Sequence, residues 1–360
     1  MRVLFITQVV DRADDNLGAV HGWIEALAGE VERVHVIALR TGALQLPSNV
    51  SVYSLGKDVG NGKLRQFQIF HSIAGRLALR REIDIFFPHM VPRYALLVAP
   101  YRIVQGIPTV MWYAHNTLDL KLKLADLCVD RFVTVSKDSF PLGLKKCKVV
   151  GHGVDTNLFK PPENMQIDPH GRIRFLSLGR ISPRKELDTL ISAADLLANR
   201  WGRRDLEFVV AGAPLAPSDH EYYNRLQARV RDLRLDDLFR FTGGIPHSEA
   251  VHLVRACDFF VNMHVEGGLG KAVLEAMSCG KPAFVSTPTY YDQFPEYKSA
   301  FLFNPRDHEG LAMKMRAALD YPREERARIG NELRAWVIQE HDVRRQMARI
   351  VDVFRAVRGR

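Results

Sequence analysis

The sequence predicts an α/β fold made of two doubly wound, Rossmann-like domains. The chain has 360 residues, which is more than a single hydrophobic core usually organises. Hydrophobic residues make up 47% of it, enough to fill two cores. Short apolar runs typical of buried strands alternate with amphipathic helical segments over most of the length. This alternation favours parallel sheets over all-α and all-β folds.

The first half alternates predicted strands and helices. We expect strands at 3–7, 34–39, 50–54, 83–87, 109–113, 131–135 and 147–150. We expect helices at 17–28, 63–81, 94–104 and 118–127, with a short helix from residue 137. Doubly wound sheets bind ligands beyond the carboxyl ends of their strands, so the loops at those ends are the first candidates for a site.

A linker is predicted at 151–162, where glycines and prolines concentrate. The second half repeats the pattern, with strands expected at 172–178, 207–211, 239–242, 259–262, 283–286 and 300–303. Its helices are expected from residue 183, at 220–233, 248–256, from about 270 to 279, at 309–319 and in the basic tail from about 324. We therefore expect domains at 1–160 and 161–338, and a C-terminal helix at 339–360 that packs back on the first domain.

The net charge of +9 indicates an anionic partner. Nucleic acid ranks last, because the sequence shows no basic ribbon interleaved with aromatic residues and no nucleic-acid-binding module. A phosphorylated small molecule and an anionic membrane surface both stay open. The segment 63–81 has the pattern of a basic amphipathic helix that lies on a membrane, although a core-facing helix with a solvated basic side is the commoner arrangement.

Location is predicted from cysteines and apolar runs. The four scattered cysteines, without a Cys-x-x-Cys pair, argue against a disulfide framework or a zinc site. The first apolar run lacks the cleavage site of a signal peptide, and no run approaches the ~18–20 residues that a membrane span needs. We expect a cytoplasmic protein, either dissolved or peripheral on the inner membrane face.

The most informative stretch is the glycine loop that opens 266–282, between a predicted strand and a predicted helix. Its glycines let the backbone approach a ligand, and the amides of the following helical turn attract an anion. Lys271 stands in that turn, where a cation opposes the macrodipole, and a bound phosphate would explain it. We expect Gly280 to cap the helix end. A loop that only packs tightly under a surface lysine is the alternative.

A second group of cations follows the strand 172–178. Ser182 suits an N-cap and Pro183 the first helical position, so Arg180, Arg184 and Lys185 are expected around a helix N-terminus. A diphosphate shared between this helix end and the glycine loop would account for both groups of cations.

Two loops of the first half carry further candidates. Gly18 follows the first strand and would let a phosphate or sugar reach a helix N-terminus. His115 follows the strand 109–113, where a histidine either orients a substrate hydroxyl or is hydrogen-bonded within the protein.

Taken in order, these motifs resemble the retaining glycosyltransferases of family 4. The resemblance covers nearly the whole chain and is strongest at 151–282. It rests on Gly153 with Asp155, Phe159 and Pro161, on Gly179-Arg180 with Lys185, on Phe241 with Gly243, on Asp258 with Phe260 and Val261, and on Gly268 and Gly270 with Glu275, Met277, Gly280 and Pro282. The family has the GT-B fold, in which two Rossmann-like domains face a cleft.

The resemblance implies an activity and its co-substrate. A hexose would pass from a nucleotide diphosphate sugar, with UDP or GDP, to an acceptor hydroxyl with retention at the anomeric carbon. The acceptor is expected to be a glycan or a lipid-linked molecule of cell-surface synthesis. No further cofactor is expected, and no metal either, because Asp-x-Asp is absent and cations can neutralise the diphosphate.

The resemblance also implies residue roles. Arg180 and Lys185 match the diphosphate-binding pair, and His115 the histidine near the transferred sugar. Donor-binding positions match Gly18, Glu266, Gly268, Leu269, Gly270, Lys271 and Glu275, the last of which would bind the ribose hydroxyls. The amides of the loop up to Lys271 would face the donor.

The chain departs from the family pattern at the glycine loop. Glu266 stands one residue before the first glutamate of the family's Glu-x7-Glu motif. Either the loop bulges and Glu266 still reaches the sugar, or that contact is lost and Lys271 is the candidate to replace it. Met263 and His264 stand where the family often has proline and serine, and Gly18 lacks the usual adjacent glycine.

Two other functions stay open. One is a sugar-nucleotide epimerase on the same fold, and the other a non-catalytic nucleotide-sugar-binding subunit of a membrane biosynthetic complex. The sequence does not identify the nucleotide base, the sugar or the acceptor.

Overall fold

The computed structural model describes residues 1–14, 17–162, 171–264 and 269–359. The chain divides into two compact units. Unit 1 consists of Met1–Gly153, Pro246–Ser248 and Glu340–Arg360, and unit 2 of Val154–Ile245 and Glu249–Gln339. The predicted domain boundaries after residues 160 and 338 stay a prediction. Within the described ranges, none of the helices combines the length and the apolar character that a bilayer crossing requires.

The strands described for unit 1 pair in parallel. They are β1 (Arg2–Val10), β2 (Arg33–Thr41), β3 (Val50–Ser54), β4 (Ile85–Pro88), β5 (Val110–Trp112), β6 (Arg131–Thr134) and β7 (Cys147–Val149). The first four pair in the order β3-β2-β1-β4 and the others in the order β5-β6-β7. The bridges Phe86↔Thr109 and His89↔Trp112 join β4 to β5. The central β1 is buried over most of its length, as expected for a parallel strand covered on both faces.

The helices of unit 1 lie between these strands and at the C-terminus. They are α1 (Ala19–Glu30), α2 (Lys63–Leu79), α3 (Pro92–Gln105), α4 (Leu120–Cys128) and α12 (Val343–Arg358). The apolar face of α12, with Ile350, Val351 and Phe354 buried, packs against α1. The C-terminal helix therefore returns to the first unit, as the fold prediction expects.

The segment after β7 is tied to the start of α12. Gln346 Nε2 donates to the carbonyl of Gly151 at 2.6 Å, and the amide of His152 donates to His341 Nδ1 at 3.2 Å. Burial lowers the pKa of His341 to about 4, and the charge of Arg349 acts in the same direction. The junction is therefore built around a neutral histidine.

Unit 2 contains one five-stranded parallel sheet. Its strands are β8 (Ile173–Leu178), β9 (Leu206–Ala211), β10 (Phe239–Gly243), β11 (Phe259–Asn262) and β12 (Ala283–Val285), in the order β10-β9-β8-β11-β12. Phenylalanines fill its centre: the ring of Phe175 lies 5.3 Å from that of Phe208 and 5.4 Å from that of Phe259. These stacked rings join the three middle strands into one core.

Helices complete unit 2. They are α5 (Leu187–Asp195), α6 (Pro217–Asp232), α7 (His247–Ala256), α8 (Lys271–Ser278), α9 (Pro295–Phe301), α10 (His308–Leu319) and α11 (Arg323–His341). The first two residues of α7 and the last two of α11 belong to unit 1. The end of α8 confirms the predicted cap. Gly280 has φ 73°, its amide donates to the carbonyl of Met277, and the next amide, of Lys281, donates to that of Ala276. This pair of bonds is a Schellman motif.

Most predicted strands and helices are confirmed within a few residues, but the predicted strand at 300–303 is wrong. The helix α9 continues to Phe301, and only Leu302 pairs, with Val285, in a single bridge. Phe301 is fully buried against the core, so the apolar run reflects helix packing. Periodicity cannot separate the two over so few residues.

The predicted start of a helix at Pro183 is also wrong. Pro183–Lys185 form a single 3-10 turn, the side chain of Ser182 makes no capping bond, and Glu186 adopts φ 48° before α5 begins at Leu187. The amides of Lys185 and Glu186 donate to carbonyls three residues earlier, which is the bonding pattern of a 3-10 helix and not of an α-helix. Arg180 and Lys185 therefore precede α5 rather than surround its first turn.

Candidate functional site

The two predicted groups of cations follow neighbouring strands of unit 2. After β8 the chain continues to β9, its neighbour in one direction across the sheet. After β11 it continues to β12, the neighbour in the opposite direction. The carboxyl ends of β8 and β11 therefore form a topological switch point, where doubly wound sheets bind ligands. Arg180 and Lys185 follow β8, whereas Lys271 and Glu275 follow β11.

Two glycines in close contact shape the loop after β8. Gly179 has φ 132° and Gly212 has φ 144°, which side-chain-bearing residues rarely adopt. A Cβ on Gly212 would stand 2.0 Å from the carbonyl oxygen of Gly179. A Cβ on Gly179 would stand 3.3 Å from Nζ of Lys185, so the lysine amine lies directly over this backbone.

Arg180 is anchored by one carboxylate. Its Nε lies 3.5 Å from Oδ2 of Asp219, and the two side chains are 48% and 4% exposed. The same oxygen accepts the amide hydrogen of Ala216 at 3.1 Å. Asp219 thus fixes the base of the guanidinium while about half of the arginine side chain stays accessible to a ligand.

The environment of Lys185 disfavours its charge. Burial lowers its pKa, and the positive charge of Arg180 lowers it further. An anion bound beside the two side chains would reverse both effects, because it replaces lost hydration and screens the like charges. This corner of unit 2 therefore favours a ligand with at least one negative charge.

The second wall of the site is the start of α8. As predicted, the helix begins beside Gly270, with Lys271 as its first residue. Burial lowers the pKa of Lys271, although the carboxylates of Glu275 and Asp155 oppose this effect. Glu275 is itself only 3% exposed. Here too a cation is held where water is scarce.

Tyr290 fixes the residue before this helix. Its hydroxyl accepts the amide hydrogen of Gly270 and lies 3.3 Å from the carbonyl oxygen of the same residue. The expectation that the Gly270 amide faces the donor is therefore wrong, because the tyrosine occupies it. A Cβ on Gly270 would stand 3.0 Å from that hydroxyl, so tight packing accounts for the glycine.

Leu269 is half-buried and packs against the core of unit 2. Glu266 and Gly268 lie outside the described residues. That Glu266 or Lys271 takes the place of the first motif glutamate stays a prediction.

His115 belongs to unit 1 and is exposed after β5. Its Nδ1 accepts the amide hydrogen of Thr117 at 3.1 Å and lies 2.8 Å from the hydroxyl of the same residue. Accepting at Nδ1 leaves the ring proton of the neutral form on Nε2. The imidazole is thus oriented by its own loop, with Nε2 as a donor.

Gly18 also belongs to unit 1 and precedes α1. Its amide donates to the carbonyl of Asp14 at 3.0 Å, and a Cβ there would stand 2.5 Å from that oxygen. Close backbone packing therefore accounts for this glycine, and its role with a donor stays a prediction.

Two residues of the site were not found by sequence reasoning. Asp219 carries a local signal, since it is the third residue of a helix that starts with Pro217, a position that favours acids. Tyr290 carries none, because its contact with Gly270 joins two loops that only the folded sheet brings together.

Comparison with known proteins identifies the family to which the chain belongs. Residues 148–336, more than half of the chain, match the family described as glycosyl transferases group 1. Mannosylfructose-phosphate synthase of Agrobacterium fabrum is 27% identical over 49% of this chain and 41% of its own length. D-inositol 3-phosphate glycosyltransferase of Frankia alni is 35% identical over 37% of this chain and 34% of its own length. The chain thus spans less than half the length of these curated relatives.

Solved structures show the same fold over the whole chain. Anabaena Alr3699/HepE, in complex with UDP and glucose, matches 99% of this chain and 100% of its own with a TM-score of 0.78 at 19% identity. Sucrose-phosphate synthase from Thermosynechococcus elongatus matches 98% of this chain and 99% of its own with a TM-score of 0.77 at 16% identity. These similarities confirm the GT-B fold class. With the family match over more than half of its residues, the chain belongs to the glycosyl transferases group 1 family.

Proposed function

We propose that the protein is a retaining, family 4-like glycosyltransferase that moves a hexose from a nucleotide diphosphate sugar to an acceptor hydroxyl. The observation that carries the proposal is the presence of three cations, Arg180, Lys185 and Lys271, after the two strands of the switch point. Both lysines are held where burial disfavours their charge. A diphosphate is the ligand whose charge best matches this arrangement.

The same residues suit the chemistry. The bond between the anomeric carbon and the diphosphate oxygen breaks, while the acceptor oxygen attacks that carbon from the same face. The acceptor proton passes to the departing diphosphate oxygen, so no protein nucleophile is needed. Arg180 and Lys185 stabilise the negative charge that develops on the diphosphate, and their fixed positions save the cost of reorganisation.

Other residues bind the donor in this proposal. Glu275 accepts hydrogen bonds from the ribose hydroxyls, and Lys271 faces the sugar or its phosphate. The roles of His115 with the transferred sugar and of Gly18 with the donor rest on the family resemblance alone. UDP and GDP are both candidates, and the UDP bound to Alr3699/HepE supports testing UDP first.

Metal independence is part of the proposal. Across the described ranges, no three histidine, cysteine, aspartate or glutamate side chains are grouped to hold a metal ion. The cations at the switch point can neutralise the diphosphate instead. Transfer that continues in EDTA would support this, whereas full loss that Mg²⁺ or Mn²⁺ restores would contradict it.

The decisive experiment is a turnover assay with radiolabelled UDP- and GDP-hexoses. We expect transfer to an added glycan acceptor, or slow hydrolysis without one, and we expect Lys185→Ala to abolish both. Lys314→Ala, which removes a lysine from α10, is the matched control and should retain activity. Absence of turnover with every donor would contradict the proposal.

Product analysis separates the alternatives. An epimerase would convert the nucleotide sugar without an acceptor, and a non-catalytic subunit would bind the donor without turnover. Retention is read from the anomeric NMR signal of the new linkage, whose configuration must equal that of the donor.

We further propose that unit 1 docks on an anionic membrane to reach a lipid-linked acceptor. In α2, Phe70, Ala74 and Leu77 are buried in the core, whereas Leu64 and Phe67 are 72% and 51% exposed. The exposed pair stands beside Lys63 and Arg65, a combination suited to insertion among anionic headgroups.

Flotation with vesicles that contain phosphatidylglycerol tests this partner. Leu64→Ser with Phe67→Ser should weaken binding, and moderate salt should weaken it too. Met313→Ser, which removes an exposed apolar side chain from α10, is the control. Equal flotation of both variants would contradict docking through α2.

A further inference from the structure

A second cationic site lies at the opposite end of the sheet of unit 2. A cavity of about 160 Å³ is formed where β8, β11, β12 and α11 begin. The cationic side chains among its lining residues are Arg172, Arg174, Arg255, Lys281, Arg323 and Arg326. Among the lining residues that the structure describes, Asp258 is the one carboxylate.

The nearby carboxylates are already engaged. Asp258 accepts from Arg326 Nη1 at 2.9 Å through one oxygen and from the amide of Arg174 at 2.9 Å through the other. Glu207, which pairs with Arg174 Nε at 2.5 Å, is shared with Arg240 at 3.1 Å. Among the described residues, two carboxylates thus serve three arginines, and the positive charges of Arg255, Lys281 and Arg323 are in excess.

Two cations are fixed by bonds that do not neutralise them. Arg255 donates to the carbonyls of Lys160 and Leu158, each at 2.9 Å, and Lys281 Nζ donates to the carbonyl of Arg255 at 2.8 Å. Such bonds hold the charged groups in place at the cavity wall. Because both side chains are half-buried, their charges are also less hydrated than at an open surface.

One donor at the cavity is unused. Nε of Arg326 is buried and, within the described part of the chain, has no hydrogen-bond partner. Buried donors of this kind are rare in folded proteins. Because this Nε is shielded from solvent, it does not face the open volume of the cavity, and the surplus positive charge is the observation that favours an anionic ligand.

We infer that this cavity binds a phosphate group. Its volume is a few times the ~30 Å³ that one water occupies, which suits a phosphate with a water or two. It is below the ~300 Å³ at which pockets for larger ligands begin, so a nucleotide sugar does not fit. The phosphate comes either from the free ion or a small phosphate ester, or from a lipid headgroup, since the recognised group is the same.

The test titrates the full chain with inorganic phosphate at constant ionic strength and follows thermal unfolding. The background is Arg180→Gln with Lys185→Gln, which removes two of the three cations of the diphosphate site proposed at the other end of the sheet. We expect phosphate to raise the unfolding temperature in this background, with chloride as the reference. Lys281→Gln with Arg323→Gln should raise the half-saturating phosphate concentration about tenfold.

The choice of variants keeps the test interpretable. Arg323 is exposed on the first turn of α11, so its replacement removes charge without removing core packing. Arg65→Gln, in α2, changes the net charge equally and should leave the phosphate response intact. A phosphate response that equals that of chloride, or that survives in the cavity variant, would overturn the inference.

Vesicles distinguish the two sources. Sedimentation with phosphatidic acid vesicles that depends on Lys281 and Arg323 would assign the site to a lipid phosphate. If only the thermal response to inorganic phosphate depends on Lys281 and Arg323, the site binds a small phosphate. If neither response depends on these two residues, no phosphate site exists here.

Discussion

The hydroxyl of Tyr290 binds both main-chain polar groups of Gly270, accepting its amide hydrogen and approaching its carbonyl oxygen to 3.3 Å. The tyrosine is 1% exposed and belongs to the turn that follows β12. Because Gly270 directly precedes α8, this contact sets where the helix that carries Lys271 and Glu275 begins.

Removal of this hydroxyl should weaken donor binding. In Tyr290→Phe the amide of the half-buried Gly270 loses its acceptor, and the loop must shift to satisfy it. We expect the Kd for UDP or GDP to rise about tenfold, and stability to fall by about 1–3 kcal/mol. Calorimetric titration and urea unfolding measure the two effects.

Tyr291 offers a matched control. Its hydroxyl is equally buried and also binds one residue twice, accepting from the amide of Ala283 at 3.3 Å and donating to its carbonyl at 2.7 Å. Tyr291→Phe should cost similar stability and leave the Kd unchanged, because Ala283 begins β12. Equal changes of Kd in both variants would show that general destabilisation, not the loop, controls binding.

Binding of the nucleotide diphosphate should take up protons at alkaline pH. Burial lowers the pKa values of Lys185 and Lys271, so part of each population is neutral below the ordinary pKa of 10.5. A bound diphosphate favours the charged forms and raises both pKa values. Calorimetry at pH 9 in buffers of different ionisation enthalpy should therefore show uptake.

Variants assign that uptake. Lys185→Gln and Lys271→Gln should each reduce it, and Lys314→Gln in α10 should not. Proton release on binding, or uptake that is identical in all three variants, would contradict the assignment of the lysines to the diphosphate.

The alternation of strands and helices was sufficient to predict the fold class and the end of the sheets, beyond the carboxyl ends of the strands, at which to look for a site. The cations after β8 and β11 could be found because each stands where local helix electrostatics do not explain it. Spacing and side-chain type carry this information, and both are local properties of the sequence.

Contacts between distant segments could not be predicted in this way. The bond between Tyr290 and Gly270 joins loops that meet only at the sheet edge, and it removes an amide that the sequence assigned to the donor. The 3-10 turn before α5 depends on Glu186, whose left-handed φ is accompanied by an ion pair with Arg306 at 3.1 Å. Neither partner is visible in a local pattern.

The contact between Gly179 and Gly212 should make Gly212 intolerant of any side chain. Gly212→Ala places a Cβ 2.0 Å from the Gly179 carbonyl oxygen and forces φ 144° on alanine. We expect a loss of about 2–5 kcal/mol in the free energy of unfolding. Gly202→Ala, where φ is 70° and no atom lies within 4 Å of the added Cβ, should cost only about 1–2 kcal/mol. Similar losses in the two variants would refute the steric argument.

His341 should make stability depend on pH between about 4 and 6.5. Its pKa falls from the ordinary 6.5 to about 4 in the folded chain, so over this interval the unfolded chain binds a proton that the folded chain does not. Stability from this residue is therefore present above pH 6.5 and is lost as pH falls through the interval, in total about 3 kcal/mol.

His341→Asn keeps an acceptor for the amide of His152 but cannot titrate. We expect the difference in unfolding free energy between wild type and variant to shrink by about that amount from pH 7 to pH 4. A difference that stays constant from pH 7 to pH 4 would contradict this prediction.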